Sequence, residues 1–237
     1  VVCIALGAHG QTRHVFQPQH VAKLRYVADL EISPDGQHVA YLLSVPRKPL
    51  EDEDGAAWSE LHVVDRASRS RPFVTGSVNV GSPQWMPNGS AILYLAKRND
   101  DKSPAIYRLP IDGGESQRLV SHPAGVSKFV VSHDGMRIAF LAKQEADADK
   151  KSLEEKGFNQ EIYEEDLRPT KVWLTDITGK EDPKALDLPG SAVNVTWSPS
   201  GRELAVVLAP QPLIDDVLMF SRIHLVDVDA GRVTQKI

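Results

Sequence analysis

The sequence predicts an all-β fold, a β-propeller in which four blade-like repeats are visible. Two observations carry this expectation. The same phrase returns four times, an apolar strand, a Pro/Asp/Gly-type turn and a second apolar strand, with the turn glycines at Gly36, Gly89, Gly135 and Gly201. In every repeat a third strand follows, with a further short strand after the next turn, and four antiparallel strands per repeat is the pattern of a propeller blade. Helical solenoids are excluded because no 3.6-residue apolar period is sustained. An ordinary β-sandwich has no need of one turn repeated four times.

The chain opens on Val1-Val2-Cys3-Ile4-Ala5-Leu6, with small residues at Ala8 and Gly10. Residues 1–10 read as the tail of a cleaved export signal, and an apolar N-terminal strand is the alternative. Residues 11–27 form a lead-in in which Pro18 to Val27 is either a short helix or extended. The blades are expected at about 28–77, 78–123, 124–190 and 191–237.

Each blade begins with a hairpin. Ile32-Ser33-Pro34-Asp35-Gly36 precedes HVAYLL, Trp85-Met86-Pro87-Asn88-Gly89 precedes SAILYLA, Val131-Ser132-His133-Asp134-Gly135 precedes MRIAFLA, and Trp197-Ser198-Pro199-Ser200-Gly201 precedes RELAVVLA. Proline presets φ, Asp or Asn hydrogen-bonds back to its own backbone, and glycine supplies the position at positive φ. The second strands, Val39 to Leu43, Ala91 to Ala96, Ile138 to Ala142 and Leu204 to Ala209, are nearly unbroken apolar runs. Such runs suit strands covered on both faces. Trp85 and Trp197 take equivalent places, matched by Ile32 and Val131, and all four are expected between neighbouring blades. Third strands follow at 61–65, 106–109, 172–176 and 223–227. Ser116 to Val120 and Arg232 to Ile237 read as fourth strands. With no closing segment after the last of these, the four repeats are expected to belong to a ring of seven or eight blades, because closure removes exposed strand edges.

Composition narrows the partners. A chain of 237 residues with 41% hydrophobic residues can bury a sizeable core, and a formal net charge of −5 with dispersed Lys and Arg gives no footprint for nucleic acid. Cys3 is the single cysteine and the eight histidines are scattered, so no metal site and no cofactor are expected. No stretch is long enough to span a membrane.

The long insertions, Ser44 to Ser59, Gln144 to Thr170 and Ala209 to Ser221, all join a second strand to a third. They therefore crowd one face of the disc, the usual place for binding. From Lys143 to Arg168 the chain carries nine acids against five bases. Its first half reads as a solvated or helical loop. Its second half sets Phe158 and Tyr163 beside Glu161, Glu164, Glu165 and Asp166, and fixed carboxylates of this kind can hold a cation.

The turns of SPDG type, the lead-in Val27-Ala28-Asp29-Leu30-Glu31 and the IYEED segment running into RPTKVW together resemble the N-terminal propeller of the prolyl oligopeptidase family of serine peptidases. The dipeptidyl aminopeptidase and acylaminoacyl peptidase branches are the nearest in pattern, and the resemblance runs from Pro18 to Ile237. It implies a C-terminal α/β-hydrolase domain with a Ser-Asp-His triad, short peptide substrates and a periplasmic or secreted location. It also implies that a paired-glutamate motif grips the substrate ammonium. Glu164 and Glu165 match that pair in residue type, although their flanks differ, and a solvated acidic loop is the other reading. No GxSxG nucleophile elbow occurs in these residues, and Ser132-His133-Asp134 reads as turn chemistry, so no catalytic residue is assigned and this stretch alone is expected to be inactive. The same repeat also occurs in TolB-like periplasmic propellers, which makes a binding or scaffold propeller the alternative function.

Overall fold

In the computed structural model, which describes residues 15–145, 148–160, 164 and 167–237, the chain forms four antiparallel four-stranded sheets. The first contains β1 (Tyr26–Ile32), β2 (His38–Val45), β3 (Trp58–Asp65) and β4 (Ser70–Val74). The second contains β5 (Gly81–Trp85), β6 (Ala91–Ala96), β7 (Ala105–Pro110) and β8 (Gln117–Val120). The third holds β9 (Lys128–Val131), β10 (Arg137–Lys143), β11 (Thr170–Asp176) and the two-residue β12 (Lys184–Ala185). The fourth holds β13 (Ser191–Trp197), β14 (Glu203–Ala209), β15 (Arg222–Asp227) and β16 (Arg232–Lys236). Within each sheet the strands lie side by side in chain order, as in a propeller blade. The lead-in is part helix, α1 (Pro18–Val21), before β1 opens at Tyr26. Residues 1–10, read from sequence as an export signal, lie outside the described residues.

The hairpin turns follow from their side chains. Gly36, Gly89, Gly135 and Gly201 sit at φ of 65°, 71°, 71° and 68°, where an L side chain is strained. In the first turn the Ser33 hydroxyl donates to the Asp35 carboxylate at 2.6 Å, which in turn accepts the Gln37 N–H at 3.0 Å. Ser132, Asp134 and Met136 repeat this arrangement in the third blade. The serine hydroxyl first, then the backbone N–H, hold both aspartates below the usual carboxylate range.

Blade packing follows the two-residue period of the second strands. Ile92, Tyr94 and Ala96 of β6 point into a core shared with the first blade, and the alternate Ala91, Leu93 and Leu95 into a core shared with the third. β10 divides the same way, Ile138, Phe140 and Ala142 facing the second blade and Ala139 and Leu141 the fourth. Both faces of the middle blades are thus covered, and β6 is buried throughout. In the flanking blades β2 buries only alternate residues, and β14 does the same until its end, where Leu208 and Ala209 are both buried. The reading of all four second strands as covered on both faces therefore holds for the middle two.

The first strands of successive blades meet, β1 with β5, β5 with β9 and β9 with β13. Trp85 and Trp197 are buried there, at 6% and 5% exposure. Their matched positions differ from expectation: Ile32 is 61% exposed and Val131 only partly buried. Ile32 belongs to β1, whose outer flank, with Tyr26, Val27 and Leu30, faces solvent. At Val131, Gln84 of the preceding blade supplies the inter-blade tie, donating to the Phe129 carbonyl at 2.8 Å and accepting the Val131 N–H at 3.3 Å.

Candidate functional site

Antiparallel order fixes which connections share a face. The turns β1–β2 and β3–β4 fall at one end of each blade, and the β2–β3 type of connection falls at the other, beside the entry to the next blade. The β10–β11 connection is the longest, and it meets the β14–β15 connection at that entry. The first carries α2 (Ala148–Glu155), and the second carries a short π-helix (Asp216–Phe220).

Between them lies a groove of about 700 Å³. One wall is Lys143, Lys150, Glu164 and Arg168, the other Leu213, Ile214 and Val217, and the floor is Ser191 to Val193 at the start of β13. The Thr170 N–H donates to Ser191 Oγ at 3.1 Å, and Lys171 Nζ donates to the Leu188 carbonyl at 3.2 Å, so the floor is tied to the root of the acidic insertion. Glu164 is exposed on the groove wall and holds a φ of 65°, uncommon for a residue other than glycine. Glu165, its partner in the sequence reading, lies outside the described residues.

Sequence reasoning missed the cationic part of this wall. Lys143 and Arg168 bracket the insertion, and among the described residues neither has an ion-pair partner. Their charges were legible, but the net acidity of the insertion hid them. The apolar wall was missed as well: Leu213, Ile214 and Val217 stand at i, i+1 and i+4, a helical spacing, but the insertion is too short to sustain that period.

Two other buried polar groups sit on the same face. In the β6–β7 connection the Asp101 carboxylate accepts from the Tyr107 hydroxyl, and from Arg118 Nη1 at 2.8 Å. Burial pushes the Asp101 carboxyl up, but the hydrogen bonds from Tyr107, Arg118 and the Arg98 N–H outweigh it and hold the group below its ordinary value. Burial, then the carboxylate, raises the Tyr107 phenol to about 12. Between blades two and three, His122 is buried with its ring centroid 4.5 Å from that of Trp173. Its Nδ1 accepts the Ala124 N–H at 3.2 Å, which places the ring proton on Nε2, an atom without a partner among the described residues. Both groups read as structural.

Among the described residues no cluster of three or more His, Cys, Asp or Glu is placed to hold a metal ion, and no helix is long and apolar enough to cross a membrane.

No protein-family model matches the chain. Two curated relatives do. Uncharacterized peptidase YuxL of Bacillus subtilis is 27% identical over 136 residues, 56% of this chain and 20% of the relative. Dipeptidyl-peptidase 5 of Porphyromonas endodontalis is 25% identical over 126 residues, 53% of this chain and 17% of the relative. The matched stretches are therefore at most about a fifth of those proteins. Among solved structures, the acylaminoacyl peptidase of Pyrococcus horikoshii superposes with a TM-score of 0.63 at 15% identity, covering 91% of this chain and 33% of its own. TolB from Acinetobacter baumannii superposes at 0.57 and 17% identity, covering 86% and 41%. The structural likenesses establish the fold, and the sequence relatives are peptidases. The chain is a β-propeller similar to the N-terminal propellers of prolyl oligopeptidase family serine peptidases.

Proposed function

We propose that the chain is the non-catalytic propeller of an exported serine peptidase that cleaves short peptides. It gates and positions substrate for a C-terminal α/β-hydrolase domain of the same full-length protein. The observation that carries this reading is the concentration of the long connections on one face, where two of them enclose the groove beside Glu164. A rigid stack of blades with one elaborated face suits an element that admits and orients a ligand while another domain performs the chemistry. Both sequence relatives carry peptidase names, which favours the same reading.

A ring of seven or eight blades goes with this proposal. The free flank of the first blade exposes Tyr26, Leu30 and Ile32, and that of the fourth exposes Val193, Phe220 and Ile223. Exposed apolar side chains on both flanks suit an interaction surface, and further blades would cover them with the alternating contacts that join the middle pair. Glu164, with Glu165, is proposed to receive the substrate ammonium. The reading of residues 1–10 as an export signal and the blade limits 28–77, 78–123, 124–190 and 191–237 belong to the same proposal.

The alternative, a TolB-like binding or scaffold propeller without an enzymatic role, is favoured by the superposition on TolB. Treating the full-length protein with a fluorophosphonate and assaying hydrolysis of di- to pentapeptides separates the two. Covalent labelling of one serine with loss of hydrolysis supports the peptidase. An unlabelled, inactive full-length protein supports the scaffold.

A further inference from the structure

The groove between the β10–β11 and β14–β15 connections is asymmetric in a way that the ammonium-binding role of Glu164 does not use. Lys143 and Arg168 stand on its wall without ion-pair partners among the described residues, and Glu164 is the single acid on that wall among them. Arg168 is half-buried. A guanidinium in that setting has lost part of its hydration and presents a planar fork of donors that fits a carboxylate in bidentate fashion. Facing these cations, Leu213, Ile214 and Val217 form an apolar wall, with Ile214 71% exposed. A site with a cationic side, an apolar side and a volume of about 700 Å³ matches a short peptide in size and in the placing of its polar contacts.

We infer that this groove binds peptides carrying a carboxylate, with the carboxylate seated against Lys143 and Arg168 and the adjoining side chain on the wall of Leu213, Ile214 and Val217. The inference rests on the reading that the chain handles peptides, and adds which peptides it prefers. The carboxylate belongs either to an acidic side chain or to the peptide C-terminus. Both offer the same two oxygens.

The test uses the full-length protein after fluorophosphonate treatment, so that no peptide is consumed. Four tetrapeptides, Ala-Ala-Glu-Ala and Ala-Ala-Gln-Ala each as C-terminal acid and amide, carry an uncharged dye on the N-terminus, and binding is followed by fluorescence anisotropy. At least one carboxylate-bearing peptide is expected to bind about fivefold or more tighter than the Gln amide, with the difference shrinking as salt is raised. Comparing the Glu amide with the Gln acid tells which carboxylate is seated. Arg168→Gln and Lys143→Gln are each expected to reduce that preference roughly three- to fivefold, the scale for partly exposed ion pairs, whereas Arg168→Lys retains most of it. The N-blocked peptides have no ammonium, so Glu164→Gln is expected to tighten the carboxylate-bearing ones about twofold by removing the opposing charge. Equal binding of all four peptides overturns the inference, as does a preference that survives both Gln substitutions in variants melting at the wild-type temperature. Failure of fluorophosphonate labelling counts against the peptidase reading and leaves the binding result to be judged separately.

Discussion

The indole N–H of Trp85, the last residue of β5, donates to the backbone carbonyl of Glu31 in β1, 3.0 Å away across the boundary between two blades. Trp197 repeats the contact two blades later, donating to the Val130 carbonyl at 3.1 Å. Each tryptophan thus fills the inter-blade core with its ring and locks the register of the neighbouring inner strand with its one polar atom. Trp85→Ala is expected to cost roughly 3–5 kcal/mol, the range for emptying a buried aromatic site. Trp85→Phe keeps most of the apolar surface and loses the hydrogen bond, so it should cost about 1 kcal/mol beyond any packing loss. Chemical denaturation of the three proteins checks this. Equal losses for Ala and Phe would show that the hydrogen bond, and not the ring, dominates.

The turn glycines give a second expectation, with a built-in comparison. A Cβ at Gly89 would meet nothing within 4 Å, so Gly89→Ala should cost only the backbone penalty of its φ of 71°, about 1 kcal/mol. A Cβ at Gly190, at the entry to β13, would lie 2.1 Å from the Ala209 carbonyl oxygen, a backbone atom that cannot turn aside. Gly190→Ala should therefore be clearly the more damaging of the two in thermal melts. The reverse order would contradict the placement of the fourth blade against its preceding connection.

His122 sets an acid limit. Its imidazole is held below the ordinary value of 6.5, chiefly by burial, with Glu145 opposing the shift. The folded chain therefore resists charging His122, and the unfolded chain binds more protons once the pH falls below about 6.5. Stability is expected to be full above that pH and to decline on acidification before the carboxylates titrate. His122→Asn keeps an acceptor for the Ala124 N–H and removes the titration. Melts between pH 5 and 7 should show a flatter acid slope in the variant, and parallel slopes would assign the effect elsewhere.

Most of the blade architecture was legible in the sequence because its determinants are local. Ser33-Pro34-Asp35-Gly36 closes its turn with its own side chains, and the alternation in β6 and β10 needs only the two-residue period. Legibility fails where the determinant lies in another blade. The inter-blade tie at Val131 passes to Gln84, whose role depends on the strand that follows it in space. The exposure of Ile32 depends on what covers β1, which no residue near it encodes. The groove is hardest of all to foresee, since Arg168 and Ile214 come from separate insertions and share no motif. Glu164 was singled out on residue type, whereas its position on the groove wall comes from the meeting of two connections.

For Glu164 the expectation is chemical selectivity. If it receives a substrate ammonium, Glu164→Gln in the full-length protein should lower kcat/KM for peptides with a free N-terminus by about 2 kcal/mol, roughly 30-fold, the low end for an interfacial charge pair because the carboxylate is exposed here. N-acylated peptides should be nearly indifferent. An unchanged ratio between the two substrate classes would return Glu164 to a solvated acidic loop.

The central claim, that the propeller admits and positions short peptides for a hydrolase domain, is met most directly by kcat/KM of the full-length protein across a substrate length series. One cleavable sequence is presented as a tetrapeptide, as a 30-residue peptide and within a loop of a folded protein. Gating predicts a fall of at least a hundredfold from the shortest to the longest, because the larger substrates cannot pass the elaborated face. A specificity constant that stays level across the series would contradict a gating propeller.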